Sequence, residues 1–152
     1  MEPDGIKKDD SIKETLPGSG GETILVVDDD DGYRKLMSLA LTENGYIVIE
    51  ARGGMEGLEI FKNQKKKIDL ILTDIVMPGM DGVQLIEHVR GISPRMKVIF
   101  ISGYKREFKQ DINGQPVNFI EKTSGLSSLI EKVREVLNET GLIKKWLKKI
   151  LP

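Results

Sequence analysis

Side chains suited to metal and phosphoryl chemistry stand at the ends of four apolar runs in this 152-residue chain. Ile24-Leu25-Val26-Val27 runs into Asp28-Asp29-Asp30-Asp31. Leu70-Ile71-Leu72-Thr73 runs into Asp74, and the turn residues Pro78 and Gly79 follow closely. Lys97-Val98-Ile99-Phe100-Ile101 ends in Ser102, and Val117-Asn118-Phe119-Ile120-Glu121 ends in Lys122. Short apolar runs bounded by turn residues read as buried strands. In an open α/β sheet, groups just past the carboxyl ends of the strands face the ligand crevice. One strand-end aspartate would carry little weight. An acid cluster, a single acid, a hydroxyl and a lysine in that order suggest a site for magnesium and a phosphoryl group. Hard dications take oxygen ligands, and an ammonium offsets charge on phosphoryl oxygens.

The elements that must position these groups alternate along the chain. Strands are expected at about 24–28, 46–50, 69–73, 97–101 and 117–121. Helix one is expected over about 32–44, with Tyr33, Leu36, Met37, Ala40 and Leu41 at helical spacing and Gly45 as its C-terminal stop. Helix two is expected over about 54–63 with Met55, Leu58 and Phe61 inward, and helix three over about 82–91 on Val83, Leu85, Ile86 and Val89. A short fourth helix is read over 104–111, and a fifth over 126–138 on Leu126, Leu129, Ile130, Val133, Val136 and Leu137. Five β-α units with short connections imply an α/β fold, a doubly wound parallel sheet with helices on both faces. The near-continuous apolar strands agree, because parallel strands are covered on both sides. Residues 1–21 mix Asp, Lys, Pro and Gly with few apolar groups and read as a flexible lead or linker. Residues 22–138 form the domain, and 139–152 a basic amphipathic tail.

The wording of these segments resembles the response-regulator receiver domain of two-component signalling. The resemblance rests on the acidic run after Val26-Val27, the block Thr73-Asp74-Ile75-Val76-Met77-Pro78-Gly79-Met80-Asp81-Gly82, the step Ile101-Ser102-Gly103, and Lys122. It covers about residues 22–138. Gly21-Glu22-Thr23-Ile24-Leu25-Val26-Val27-Asp28-Asp29 and Ile101-Ser102-Gly103-Tyr104 also resemble receivers attached to hybrid sensor histidine kinases.

The resemblance implies a flavodoxin-like (βα)5 sheet of order 2-1-3-4-5 and a phosphoacceptor signalling domain rather than an enzyme. Phosphoryl transfer would run from the phosphohistidine of a sensor histidine kinase or a histidine phosphotransfer domain to Asp74 and switch a partner-binding face. A carboxylate can attack phosphorus in line and form an acyl phosphate. Asp28 and Asp29 correspond to the family's acidic pair. Asp29, Asp74 and the backbone carbonyl of Val76 would ligate Mg²⁺, and Asp28 would act through water. Asp30 and Asp31 would instead begin helix one, where acids suit the dipole. Lys122 would pair with Asp74 or the phosphoryl group, Ser102 would donate to a phosphoryl oxygen, and Phe119 falls at the family's switch aromatic. Two departures stand out. Thr123 follows Lys122 where the family commonly has proline, and the stretch from Ser102 to Lys122 is short and interrupted by Gly114 and Pro116.

Composition narrows the alternatives. There are no cysteines, hence no disulfide and no thiolate metal site. No apolar run approaches the roughly 20 residues of a membrane span, and the polar N-terminus is unlike a signal peptide. Those features suit a cytoplasmic protein. A net charge of −1 gives no bias toward direct nucleic-acid binding. His88, the single histidine, lies in helix three away from the strand ends and reads as a surface residue, so the phosphodonor is expected to be another protein or domain. In the tail, Leu142, Ile143, Trp146, Leu147, Ile150 and Leu151 share one helical face opposite Lys144, Lys145, Lys148 and Lys149. Packing on this domain or in a homodimer is favoured there over contact with an anionic membrane. The rival reading is an aspartate-nucleophile phosphatase of the haloacid-dehalogenase type, using Asp28 and Asp30. It lacks a later acid pair and leaves the Asp74 block unexplained. A second rival is a receiver-like binding module that accepts no phosphoryl group.

Overall fold

The computed structural model describes residues 21–103, 111–112, 114–138 and 149–151. Its elements are β1 (Thr23–Val27), α1 (Asp31–Glu43), β2 (Ile47–Ala51), α2 (Gly54–Gln64), β3 (Leu70–Asp74), α3 (Gly82–Ile92) and β4 (Lys97–Ser102). A short pair, β5 (Asp111–Ile112) and β6 (Gln115–Pro116), comes next, then β7 (Asn118–Glu121), a 3-10 turn (Lys122–Ser124) and α4 (Gly125–Asn138). The main sheet runs β2-β1-β3-β4-β7 with every pairing parallel. That is the expected 2-1-3-4-5 order.

Period-two alternation along the buried strands divides the apolar groups between two cores. Ile24, Val26, Leu70, Leu72, Ile99 and Ile101 face α1 and α4, where Met37, Leu41, Leu129 and Val133 meet them. Leu25, Val27, Ile71, Val98 and Phe100 face α2 and α3, meeting Leu58, Phe61, Leu85 and Val89. None of these strand residues is more than 1% exposed, so both faces of the central strands β1, β3 and β4 are sealed.

Three expectations need correction. Met55 is 66% exposed, because Gly54, Gly57, Leu58 and Phe61 form the inward line of α2 and Met55 lies about a quarter turn away. Gly54 holds the inward place because a β-carbon there would strike the Met80 carbonyl. Leu36 is likewise exposed, one position off the line through Met37 and Leu41. Third, Asp111 is not the end of a helix: Asp111–Ile112 pairs antiparallel with Gln115–Pro116 across Gly114, whose φ of +75° suits glycine. The buried Arg90 guanidinium fastens this hairpin, donating to the carbonyls of Ile112 (3.2 Å), Gln115 (2.8 Å) and Met96 (3.2 Å). Residues 104–110 of the expected fourth helix lie outside the described residues. So does most of the tail, Trp146 included; of the part described, Ile150 and Leu151 are exposed.

Gly82 joins the fold to the strand ends. Its N–H donates to the Ile75 carbonyl at 2.8 Å, and a β-carbon there would collide with the Asp74 carbonyl oxygen. Gly82→Ala must push either α3 or the Asp74 segment aside. Overpacking of this kind costs about 1–3 kcal/mol, so the melting temperature should drop by several degrees. An unchanged melting curve would show that the close approach is absent.

Candidate metal and phosphoryl site

Register places the chemistry. Val27 pairs with Thr73, so Asp28 and Asp74 leave neighbouring strands on the same rung. Asp74 pairs with Ile101, and Ser102 with Glu121, so Ser102 and Lys122 follow one step further along the adjoining strands. Four strand ends thus deliver their side chains to one edge.

There the groups meet. Lys122 Nζ lies 3.0 Å from Asp28 Oδ2 and 3.1 Å from Asp74 Oδ2. Each acid is also held by the main chain: Ile75 N–H donates to Asp74 Oδ1 at 2.7 Å, and Asp30 N–H to Asp28 Oδ1 at 2.9 Å. One carboxylate oxygen from each of Asp28, Asp29 and Asp74 can lie within 4.8 Å of the other two, a spacing that one cation can bridge. Asp28 is fully buried, Asp74 is buried, and Asp29 is exposed. Asp74, Val76, Ser102, Gly103 and Lys122 line a cavity of about 380 Å³. A larger groove of about 710 Å³ lies at the opposite ends of β3 and β4, beside Asp69, Pro94 and Lys97, away from Asp28, Asp29 and Asp74.

The electrostatics are those of a site short of positive charge. Burial raises Asp28 above the ordinary aspartate range, and nearby Asp74 adds to the rise; the Asp30 N–H and Lys122 oppose it without cancelling it. Asp28 Oδ2 accepts no well-formed hydrogen bond although Lys122 is near, so a buried anionic oxygen is left under-satisfied. Burial would lower Lys122, but Asp28 and Asp74 outweigh it and hold the ammonium above its usual range. Three clustered oxygens, one of them under-satisfied, fit a hard dication.

A raised carboxyl keeps its proton in the folded state over a window of pH in which the unfolded chain has released it. Asp28's contribution is therefore most favourable below about pH 3.8 and is lost as pH rises from there through its folded value. Asp28→Asn should melt higher than the parent in the absence of metal, by the few degrees that about 1 kcal/mol gives in a domain of this size. The gap should be wider at pH 7 than at pH 4. Mg²⁺ should raise the parent's melting temperature and act less on the variant. Equal melting of the two proteins at both pH values would show that Asp28 carries no such penalty.

The structure brings Asp28, Asp29, Asp74, Ser102 and Lys122 together with Val76. Lys122 reaches both acids with no cis peptide bond among the described residues, so Thr123 in place of proline does not keep it away. Asp30 caps α1, accepting from Tyr33 N–H at 3.1 Å, and Asp31 opens the helix, as expected. The Asp30 carboxylate is therefore engaged at the helix cap and is not one of the three clustered acids, whereas the phosphatase alternative would use it beside Asp28. His88 is exposed. Phe119 is half-buried, pairs in register with Phe100, and packs on the α2–α3 side rather than lining the cavity.

Two supporting residues carry no sequence signal of their own. Arg34 is buried, and its guanidinium donates to the Asp28 carbonyl (2.8 Å), Glu50 (3.0 Å) and Asp31 (2.6 Å), tying the acidic loop to α1 and β2. Tyr33 sets its ring 4.6 Å from Lys122 Nζ.

Residues 24–134 match the response regulator receiver domain. The chain belongs to that family. This receiver is 34% identical to the sensor kinase CckA of Brucella abortus (strain 2308) over 134 residues, covering 87% of this chain and 14% of that one. The chain thus spans about one-seventh of that curated relative. It is 36% identical to the receiver domain from the hybrid histidine kinase CckA, with a TM-score of 0.66 over 76% of this chain and 98% of the other. It is 31% identical to the response regulator TrrA of Thermotoga maritima, solved in complex with Mg(2+)-BeF, with a TM-score of 0.68 over 76% and 99%. The receiver role, accepting a phosphoryl group in two-component signalling, follows from this membership. No helix among the described residues is long and apolar enough to cross a membrane.

Proposed function

We propose that Asp74 is the phosphoacceptor of this receiver and that a protein phosphohistidine is its donor. The observation that carries the reading is the Lys122 ammonium held 3.1 Å from Asp74 and 3.0 Å from Asp28, at the mouth of the cavity that Ser102 also lines. In the reaction, a carboxylate oxygen of Asp74 attacks phosphorus, the new O–P bond forms, and the P–N bond to the donor imidazole breaks. The imidazole leaves with the electron pair and takes up a proton. Lys122 offsets charge on the phosphoryl oxygens, and the Ser102 hydroxyl donates to one of them. Asp28, Asp29, Asp74 and the Val76 carbonyl would hold Mg²⁺, which when bound supplies further positive charge to the phosphoryl group. The sequence relation to CckA supports a histidine kinase or histidine phosphotransfer domain as the partner. The domain assists its own phosphorylation and dephosphorylation and has no separate substrate to turn over. Phe119, beside Phe100 in the sheet, is the proposed aromatic that moves with Ser102.

The test uses the full chain with acetyl phosphate as a small donor. With Mg²⁺ the intact mass should gain one phosphoryl group, and a chelator should prevent it. Labelling that ignores the chelator would remove the metal from the reading. No labelling in Mg²⁺, from acetyl phosphate or from a phosphorylated histidine phosphotransfer domain, would favour a receiver that serves as a binding module without accepting a phosphoryl group. Steady turnover of p-nitrophenyl phosphate would favour the phosphatase.

A further inference from the structure

We propose that Tyr33 is a positioning residue of the phosphoryl site, holding the Lys122 ammonium against Asp28 and Asp74 through the face of its ring. The inference rests on the reading of Lys122 as the group that meets the phosphoryl oxygens. A lysine stem has several rotatable bonds, and restricting them carries an entropy cost. The Lys122 side chain is 20% exposed, so solvent is open to it. Its two carboxylate neighbours draw it inward. The third neighbour is the Tyr33 ring, whose centroid lies 4.6 Å from Nζ, within the range of an attractive cation–π contact.

The ring is itself fixed. Tyr33 is the third residue of α1, and its N–H is bound by the Asp30 cap at 3.1 Å. Its body packs on the core between the sheet and α1. The next residue, Arg34, grips the Asp28 carbonyl at 2.8 Å. One turn of α1 therefore locates both the acidic loop and the wall against which the ammonium rests. Burial raises the phenol above its ordinary range, so Tyr33 stays neutral and presents an uncharged face to the lysine.

The comparison of Tyr33→Phe with Tyr33→Leu separates this role from simple packing, and Tyr33→Met is a second apolar variant should the leucine protein fold poorly. In the metal-free protein, the Lys122 ε-methylene proton signals should show the ring-current displacement of a nearby aromatic face. They should keep it in Tyr33→Phe and lose it in the leucine and methionine variants. With Mg²⁺ and acetyl phosphate, Tyr33→Phe should label at the parent's rate, and the apolar variants about fivefold more slowly, the size expected of a partly desolvated cation–π contact. In a Lys122→Met background the change Tyr33→Leu should slow labelling no further. Equal loss in Tyr33→Phe, or a full fivefold loss in the Lys122→Met background, would overturn the proposal. Parent protein that does not label at all would instead overturn the assignment of the site, with the ring-current comparison still standing as the test of Tyr33's contact with Lys122.

Discussion

Asp74→Asn should fold, melt no lower than the parent without metal, and gain no phosphoryl mass from acetyl phosphate. The cluster offers three carboxylates, and the structure separates them by access. Asp28 is fully buried and faces Lys122. Asp29 is exposed and does not line the cavity, whereas Asp74 lines it together with Ser102 and Lys122. In-line attack needs an oxygen on that cavity, and an amide is a far poorer nucleophile than a carboxylate. The isosteric amide also removes one of the negative charges crowding Asp28, which is why no loss of metal-free stability is expected. Labelling equal to the parent's, mapped by peptide mass to Asp28 or Asp29, would move the acceptor and sink the assignment.

The parts of the fold visible in the sequence are those fixed by local pattern. Ile24–Val27 and Leu70–Leu72 are continuous apolar runs that only a sheet covered on both faces can bury, and the structure seals them. The site followed because a parallel sheet puts all its carboxyl ends on one side. Helix facing was less legible. Met55 fits an apolar count, but Gly54 takes the inward place, for a backbone contact with Met80 that no periodicity records. The β5–β6 hairpin was hidden for a related reason. It is fastened by Arg90, 22 residues before Ile112 in the chain, and the backbone carbonyls that its guanidinium binds carry no side-chain signal in the sequence. In the sequence Tyr33 and Arg34 are simply positions within helix one, and both lie in α1. Their bearing on the site depends on Lys122 folding back over α1 and on the Asp28 carbonyl turning toward α1.

Lys122→Met should label roughly 10²–10³-fold more slowly than the parent in saturating Mg²⁺, the usual cost of removing one preorganised donor from developing charge. The apolar stem is kept, so the comparison isolates the ammonium. The metal-free variant should also lose stability, because two acids on one rung then face each other without a counter-ion. The direction with pH follows from Asp28. Its carboxyl is already raised by burial, and the loss of Lys122 removes one of the influences that lower it. The unfolded chain sheds its proton near pH 3.8 while the folded one retains it to higher pH. The stability gap between parent and Lys122→Met should therefore be small at pH 4, widen as pH rises through the raised value of Asp28, and close again at alkaline pH as the parent's own Lys122 titrates above its usual range. Added Mg²⁺ should narrow the gap at neutral pH by supplying the missing positive charge to the same acids, without restoring the rate. A variant that labels as fast as the parent, or a gap that does not respond to pH, would show that the ammonium is a surface charge lying near the site and not part of it.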